Sequence, residues 1–171
     1  VYDGPFEEGL RTGQGKLTYA NGDVYIGDFV AGKRAGQGTL TGTDGYKYEG
    51  SWVDGQSDGE GVETYANGAV YRGQFRAGLP DGEGELTKTD GTSYKGTFRD
   101  GVFEGTGLRS YADGSTYEGG FEGGEFEGEG KRTYADGATY EGGFAGGVYN
   151  GQGKLTEADG MARGRPATLT V

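Results

Sequence analysis

Histidine and cysteine are both missing from this chain. Their absence removes disulfide staples, thiol chemistry and the commonest zinc ligands. Three prolines are too few for a polyproline linker. No run of about 18 apolar residues is present, which excludes a membrane-spanning helix, and no basic-and-apolar leader marks a signal peptide. The compartment is left open. Hydrophobic residues make up only 32%, and 41 glycines with a net charge of −11 resemble a chain unable to bury enough surface to fold. Position, not quantity, has to decide.

Position shows a repeat. Tyr2, Tyr25, Tyr48, Tyr71, Tyr94, Tyr117 and Tyr140 recur every 23 residues without a slip, followed in the same frame by Phe6, Phe29, Trp52, Phe75, Phe98, Phe121 and Phe144. Five glycines per unit, in the places of Gly27, Gly32, Gly36, Gly38 and Gly45, account for 35 of the 41. So many glycines leave no room for a stable helix, since each interior one costs about 1 kcal/mol against alanine. Tyr25-x-Gly27-x-Phe29 alternates with period two, as does Gly13-x-Gly15-x-Leu17-x-Tyr19, and Asn/Asp-Gly between such runs signals a hairpin.

Two registers compete. A two-residue Asn21-Gly22 loop mixes apolar and polar residues on both faces. A three-residue Ala20-Asn21-Gly22 loop, with the glycine left-handed, sets Tyr25 against Leu17, Gly27 against Gly15 and Phe29 against Gly13. Since a slip of one residue exchanges the faces, the longer loop is chosen. It collects tyrosine, phenylalanine and glycine on one face, where Gly13 and Gly36 are expected to flank Phe29 and make room for its ring. The other face takes Lys16, Thr18, Ile26, Asp28, Glu49, Arg72, Lys95, Glu118 and Glu141. Tyr46 falls outside the pattern, and Phe103, Phe126 and Tyr149 are assigned to a longer loop.

These residues resemble the MORN repeat (membrane occupation and recognition nexus): Tyr-x-Gly-x-Trp/Phe-x-x-Gly-x-x-x-Gly-x-Gly, then Asp/Asn-Gly about nine residues on. The resemblance implies an all-β fold, an elongated, twisted single-layer antiparallel meander of β-hairpins. It also implies a role in protein interaction, self-association or phospholipid attachment, and no catalysis. The array is expected over residues 1–162, with units starting at Tyr2, Tyr25, Tyr48, Tyr71, Tyr94, Tyr117 and Tyr140. Arg163 and Arg165 stand where the next tyrosine and glycine belong, so 163–171 is read as a degenerate terminal strand or tail.

Other motifs fail. Gly15-Lys16 and Gly153-Lys154 lack both the earlier glycine and the Ser/Thr of a phosphate loop. Repeated Asp-Gly has the wrong period for calcium-binding rolls, so Asn21, Asp44, Asn67, Asp90, Asp113, Asp136 and Asp159 are turn formers. Paired carboxylates such as Glu127 with Glu129, or Glu83 with Glu85, lie on the solvated face. No enzyme activity, metal or cofactor is expected. The most positive unit, 25–47, reaches only +1, the wrong sign for anionic headgroups and for nucleic acid; Lys33, Arg34 and Arg11 read as loop solubilisers. The expected function is a non-catalytic scaffold for a protein partner or a second copy. Its candidate interaction face is Tyr25, Phe29, Tyr48, Trp52, Tyr71, Phe75, Tyr94, Phe98, Tyr117, Phe121, Tyr140 and Phe144. A peripheral module for membrane lipid or another apolar ligand is the alternative.

Overall fold

A computed structural model describes residues 1–159 in full and the backbone of 162–167. Regular structure among them is all β-strand. The chain divides into two compact units, Val1–Thr89 and Asp90–Val171. The first holds β1 (Tyr2–Asp3), β2 (Phe6–Glu7), β3 (Leu10–Arg11), β4 (Gly13–Thr18), β5 (Val24–Val30), β6 (Lys33–Thr41), β7 (Lys47–Val53), β8 (Gln56–Thr64), β9 (Val70–Arg76) and β10 (Leu79–Thr87). The second holds β11 (Ser93–Arg99), β12 (Val102–Ser110), β13 (Thr116–Glu122), β14 (Glu125–Thr133), β15 (Thr139–Ala145), β16 (Val148–Thr156) and β17 (Ala162–Ala167). Within each unit the strands form an antiparallel meander, neighbour to neighbour, with β1 added beside β4 and β2–β3 a separate small hairpin. Of the predicted terminal stretch, 163–167 lies in β17, and 168–171 is outside the described residues.

The three-residue loop is the one formed. Leu17 stands opposite Tyr25, Gly15 opposite Gly27 and Gly13 opposite Phe29. Tyr19 N donates to Asp23 O at 2.9 Å, and Gly22, at φ 93°, closes the turn by donating to Tyr19 O at 3.1 Å. Asn21 Oδ1 accepts from Asp23 N at 3.1 Å, and Asp44, Asn67, Asp90, Asp113 and Asp136 repeat this bond two residues on. The turn-former reading holds for these six; the hydrogen bond fixes the loop where the side chain itself mimics backbone.

The other end of each hairpin differs from expectation. In place of a longer loop, Val30 pairs with Lys33 around a two-residue turn, Ala31 at φ 47° and Gly32 at φ 82°. Two successive positive φ values make the primed turn whose twist suits a hairpin. Both strands therefore run longer than the alternation suggests, and Phe103, Phe126 and Tyr149 sit on β12, β14 and β16, opposite Phe98, Phe121 and Phe144. The strand absorbs its extra length in a bulge: between Gly27 and Asp28 the partner jumps from Gly38 to Ala35. Asp28 thus pairs two residues short of the Gln37 it would otherwise face, and because that shift is even the faces are preserved beyond it. It also corrects one neighbour, since Phe29 faces Arg34 on β6, while Gly36, at φ 57°, faces Trp52 on β7.

Ala31, Asp54, Ala77 and Asp100 hold the first turn position at φ 47–50°, where later hairpins have Gly123 and Gly146. A left-handed alanine costs about 1–2 kcal/mol, partly offset by the freedom glycine adds to the unfolded chain. Ala77→Gly is therefore expected to stabilise the protein by roughly 0.5–1 kcal/mol, read as a raised urea midpoint; a lowered midpoint would show that the turn is not strained.

Candidate functional site

The site is assembled from one contact repeated in each hairpin pair. Gly27 lies between Gly15 and Gly38 across three strands, leaving bare backbone on the apolar face. The Tyr25 ring lies over it: a Cβ at Gly27 would stand 2.5 Å from the Tyr25 hydroxyl. That hydroxyl donates to Asp28 O at 3.1 Å, a carbonyl at the bulge. Tyr48, Tyr71, Tyr94, Tyr117 and Tyr140 bond the third residue onward in the same way, at 2.9–3.3 Å. The glycines thus admit the ring, and the bulge supplies the acceptor that a buried phenol needs.

The tyrosines then meet phenylalanine-class rings edge to face, several of them two at once. Tyr25 lies 5.2 Å from Phe29 on its own strand and 5.2 Å from Trp52 in the next repeat, at 84° and 85°. The alternation recurs through Tyr48 to Trp52 and Phe75, and through Tyr117 to Phe121 and Phe144. Trp52 Nε1 donates to Gly38 O at 3.0 Å. The twelve predicted interaction residues are consequently all buried, at 0–4% exposure. They pack against their own chain and present little surface of their own.

Several residues misjudged from sequence share this face. Phe103 and Phe126 stack on Tyr94 and Tyr117 at 3.9 and 3.7 Å, nearly parallel, and Tyr149 lies 4.0 Å from Tyr140. In the same place earlier in the chain stand Arg11 and Arg34. These two are packing groups rather than loop solubilisers: the Arg34 guanidinium lies 4.2 Å from the Trp52 ring and donates to Gly55 O at 2.5 Å. Arg11 stands 5.3 Å from the Phe29 ring and donates to Gly32 O at 2.8 Å. A planar cation can replace a ring over a ring, an equivalence that apolar periodicity does not register. Lys33, by contrast, makes an exposed ion pair with Asp54. Tyr46 also lies on this face, donating to Oε1 of the buried Glu63 at 2.9 Å.

Outside the buried rings, Leu17, Leu40, Tyr65, Arg109, Tyr111, Arg132 and Tyr134 are half-buried. The opposite face is polar, with Lys47–Glu49 and Lys131–Glu141 exposed ion pairs. At the primed turns, carboxylates tie one hairpin to the next: Asp58 accepts from Ala77 N, Glu104 from Gly123 N and Glu127 from Gly146 N, at 3.0–3.2 Å. Glu127 is thus more than solvated charge.

This repeating hairpin sheet, with its tyrosines laid on glycine, defines a class. The MORN repeat model matches residues 2–24, 25–45, 48–70, 71–93, 94–116, 117–139 and 140–162, and the chain belongs to that family. Among solved structures, the chain is similar to the TCP domain of Drosophila melanogaster SAS-4 (dCPAP), solved with a proline-rich motif of Ana2 (dSTIL). The identity is 16%, over 88% of this chain and 82% of that one, with a TM-score of 0.54. The TCP10 domain of Danio rerio CPAP, solved with a peptide of STIL, matches at 19% identity over 91% and 84%, with a TM-score of 0.37. No curated protein matches the chain.

Two outcomes follow from the ring packing. Phe75→Ala or Trp52→Ala is expected to cost about 3–5 kcal/mol in chemical denaturation, whereas Glu118→Ala should stay within about 0.5 kcal/mol; equal costs would mean the faces are misassigned. Alkali should unfold the protein. Burial, reinforced by nearby carboxylates, pushes the Tyr25 and Tyr48 phenols from 10.0 up to about 12, and raises Tyr46, Tyr65 and Tyr71 as well. A raised folded pKa means that the neutral form is favoured in the fold. This stabilisation is complete below pH 10.0 and is lost as pH climbs through about 12. Phenolate absorbance should therefore rise together with loss of the strand circular-dichroism signal; ionisation of all tyrosines near 10 with the fold intact would contradict it.

Proposed function

We propose that this chain is a non-catalytic scaffold that binds protein partners, or a second copy of itself, on the ring-bearing side of its sheet. The observation carrying this reading is where the apolar side ends. Beyond the buried rings it continues into half-exposed leucine, tyrosine and arginine rather than stopping at a band of charge. Tyrosine and arginine are the residues that supply interface energy at low ordering cost. Within each unit the buried rings serve as the floor of that surface, and contact is made by the residues flanking them.

The likeness of fold to the SAS-4 TCP domain supports the reading, because that domain was solved holding a proline-rich motif. A regularly spaced strand surface suits an extended segment laid across it. Charge argues against lipid as the partner: at −11 overall, approach to an anionic leaflet is repulsive.

Co-sedimentation with phosphatidylserine vesicles and with neutral phosphatidylcholine vesicles separates the two readings. Neither vesicle should bring the chain down, while light scattering or capture with a protein partner should report association. Strong, salt-sensitive pelleting with phosphatidylserine would replace the scaffold with the membrane module.

A further inference from the structure

Deepening that scaffold reading, we propose that Arg109 and Arg132 form a two-pronged docking site. Its partner is an acidic protein segment in polyproline II conformation, with carboxylates one helical turn apart. The two arginines occupy the position that Leu17, Leu40, Leu86 and Leu155 take in other repeats. They flank one strand of the second unit, Arg109 on β12 and Arg132 on β14, each directly opposite Tyr117 on β13.

Each guanidinium lies within cation–π distance of an aromatic ring. Arg109 lies 4.9 Å from the Tyr111 ring and 5.9 Å from Phe103, and Arg132 lies 5.1 Å from Tyr134. Stacking uses the face of the cation and leaves its in-plane N–H donors for something else. In Arg11 and Arg34 those donors reach turn carbonyls. Among the described residues, neither Arg109 nor Arg132 makes a hydrogen bond or an ion pair, and Arg132 Nε is buried without a partner. Asp113 feels the positive charge of Arg132, yet its Oδ1 is taken by Ser115 N and Oγ at 2.9 and 2.6 Å. These two guanidiniums are local cations on a chain of net charge −11; carboxylate is the group a guanidinium grips with two parallel bonds, a contact-range preference that persists where salt screens the long-range repulsion of the net charge.

Spacing selects the conformation of the ligand. Strands lie about 4.8 Å apart, so positions two strands away are separated by about 9.6 Å. A polyproline II helix rises about 3.1 Å per residue with three residues per turn, returning side chains to one face every ~9.3 Å. Acidic residues at i and i+3 then meet both arginines, with the segment running across the strands. An extended β-strand ligand repeats its face at about 6.6 Å and misses the second fork. Tyr111 and Tyr134 share the two-strand interval, and offer rings against which the intervening prolines pack.

The test uses the full chain and a fluorescein-labelled peptide of sequence Pro-Pro-Glu-Pro-Pro-Glu-Pro-Pro, followed by fluorescence anisotropy at about 0.15 M salt, where repulsion from the net charge is screened beyond ~8 Å. Saturable binding is expected, weakened about tenfold by Arg109→Leu or Arg132→Leu and abolished in the double variant. The leucines match the residue of other repeats, so an unchanged thermal midpoint is expected; Arg132→Lys, retaining charge without the planar fork, should also weaken binding. A peptide with glutamine for glutamate should fail, and one with glutamates at i and i+2 should bind about tenfold less tightly. Undetectable binding by the wild type at about 1 mM, equal binding by the glutamine peptide, or full binding by the double variant would overturn the site. So would arginine-dependent pelleting with phosphatidylserine vesicles without peptide binding. A chain that ignores the peptide but still associates with protein loses this site alone; vesicle binding in place of protein association would remove the scaffold reading beneath it.

Discussion

Everything in this protein rests on a flat aromatic ring lying on backbone that carries no side chain. Tyr48 shows the geometry, covering Gly50 and Gly61 and sending its hydroxyl to Ser51 O at 2.9 Å. A chain with 32% hydrophobic residues stabilises a sheet this way because each ring removes a large apolar area from water. The glycines lower the floor, the rings fill the space, and edge-to-face contacts join one repeat to the next. The bulge makes the arrangement self-consistent, turning a carbonyl toward the hydroxyl and shifting the register by an even count, so that aromatics beyond it stay on the same side.

That economy shapes function. Rings committed to intramolecular packing are buried, and on the proposed reading recognition falls to residues at their flanks, where repeat identity relaxes. One frame position is filled by Arg11, Arg34, Ser57, Pro80, Phe103, Phe126 or Tyr149, and the leucine place by Glu63, Arg109 or Arg132. The repeat frame keeps these positions at fixed intervals while their chemistry changes. Regular spacing with variable chemistry is what a scaffold needs to discriminate among extended partners.

Much of this was legible in the sequence because the responsible pattern has a strict period. Tyr25, Gly27 and Phe29 announce a strand, and the apolar–polar division chose the Leu17–Tyr25 register correctly. The second turn was missed because Ala31-Gly32 lacks the Asn/Asp-Gly signature, although its backbone is left-handed at both residues. Phe103, Phe126 and Tyr149 were then left in a loop that does not exist. The bulge was equally hidden, since a shift of two leaves alternation unchanged and only the pairing of Phe29 with Arg34 reveals it. Arginine stacking and the Tyr46–Glu63 bond escaped for a different reason: both place polar groups on a face identified by its apolar residues.

The most direct measurement of ring and glycine as one unit is a double-mutant cycle on Tyr117 and Gly130. A Cβ at Gly130 would lie 2.5 Å from the Tyr117 hydroxyl and 2.7 Å from its ring carbons. Gly130→Ala should therefore cost about 3 kcal/mol or more in the wild-type background, yet under about 1 kcal/mol once Tyr117→Leu has removed the ring. The same cost in both backgrounds would contradict the account.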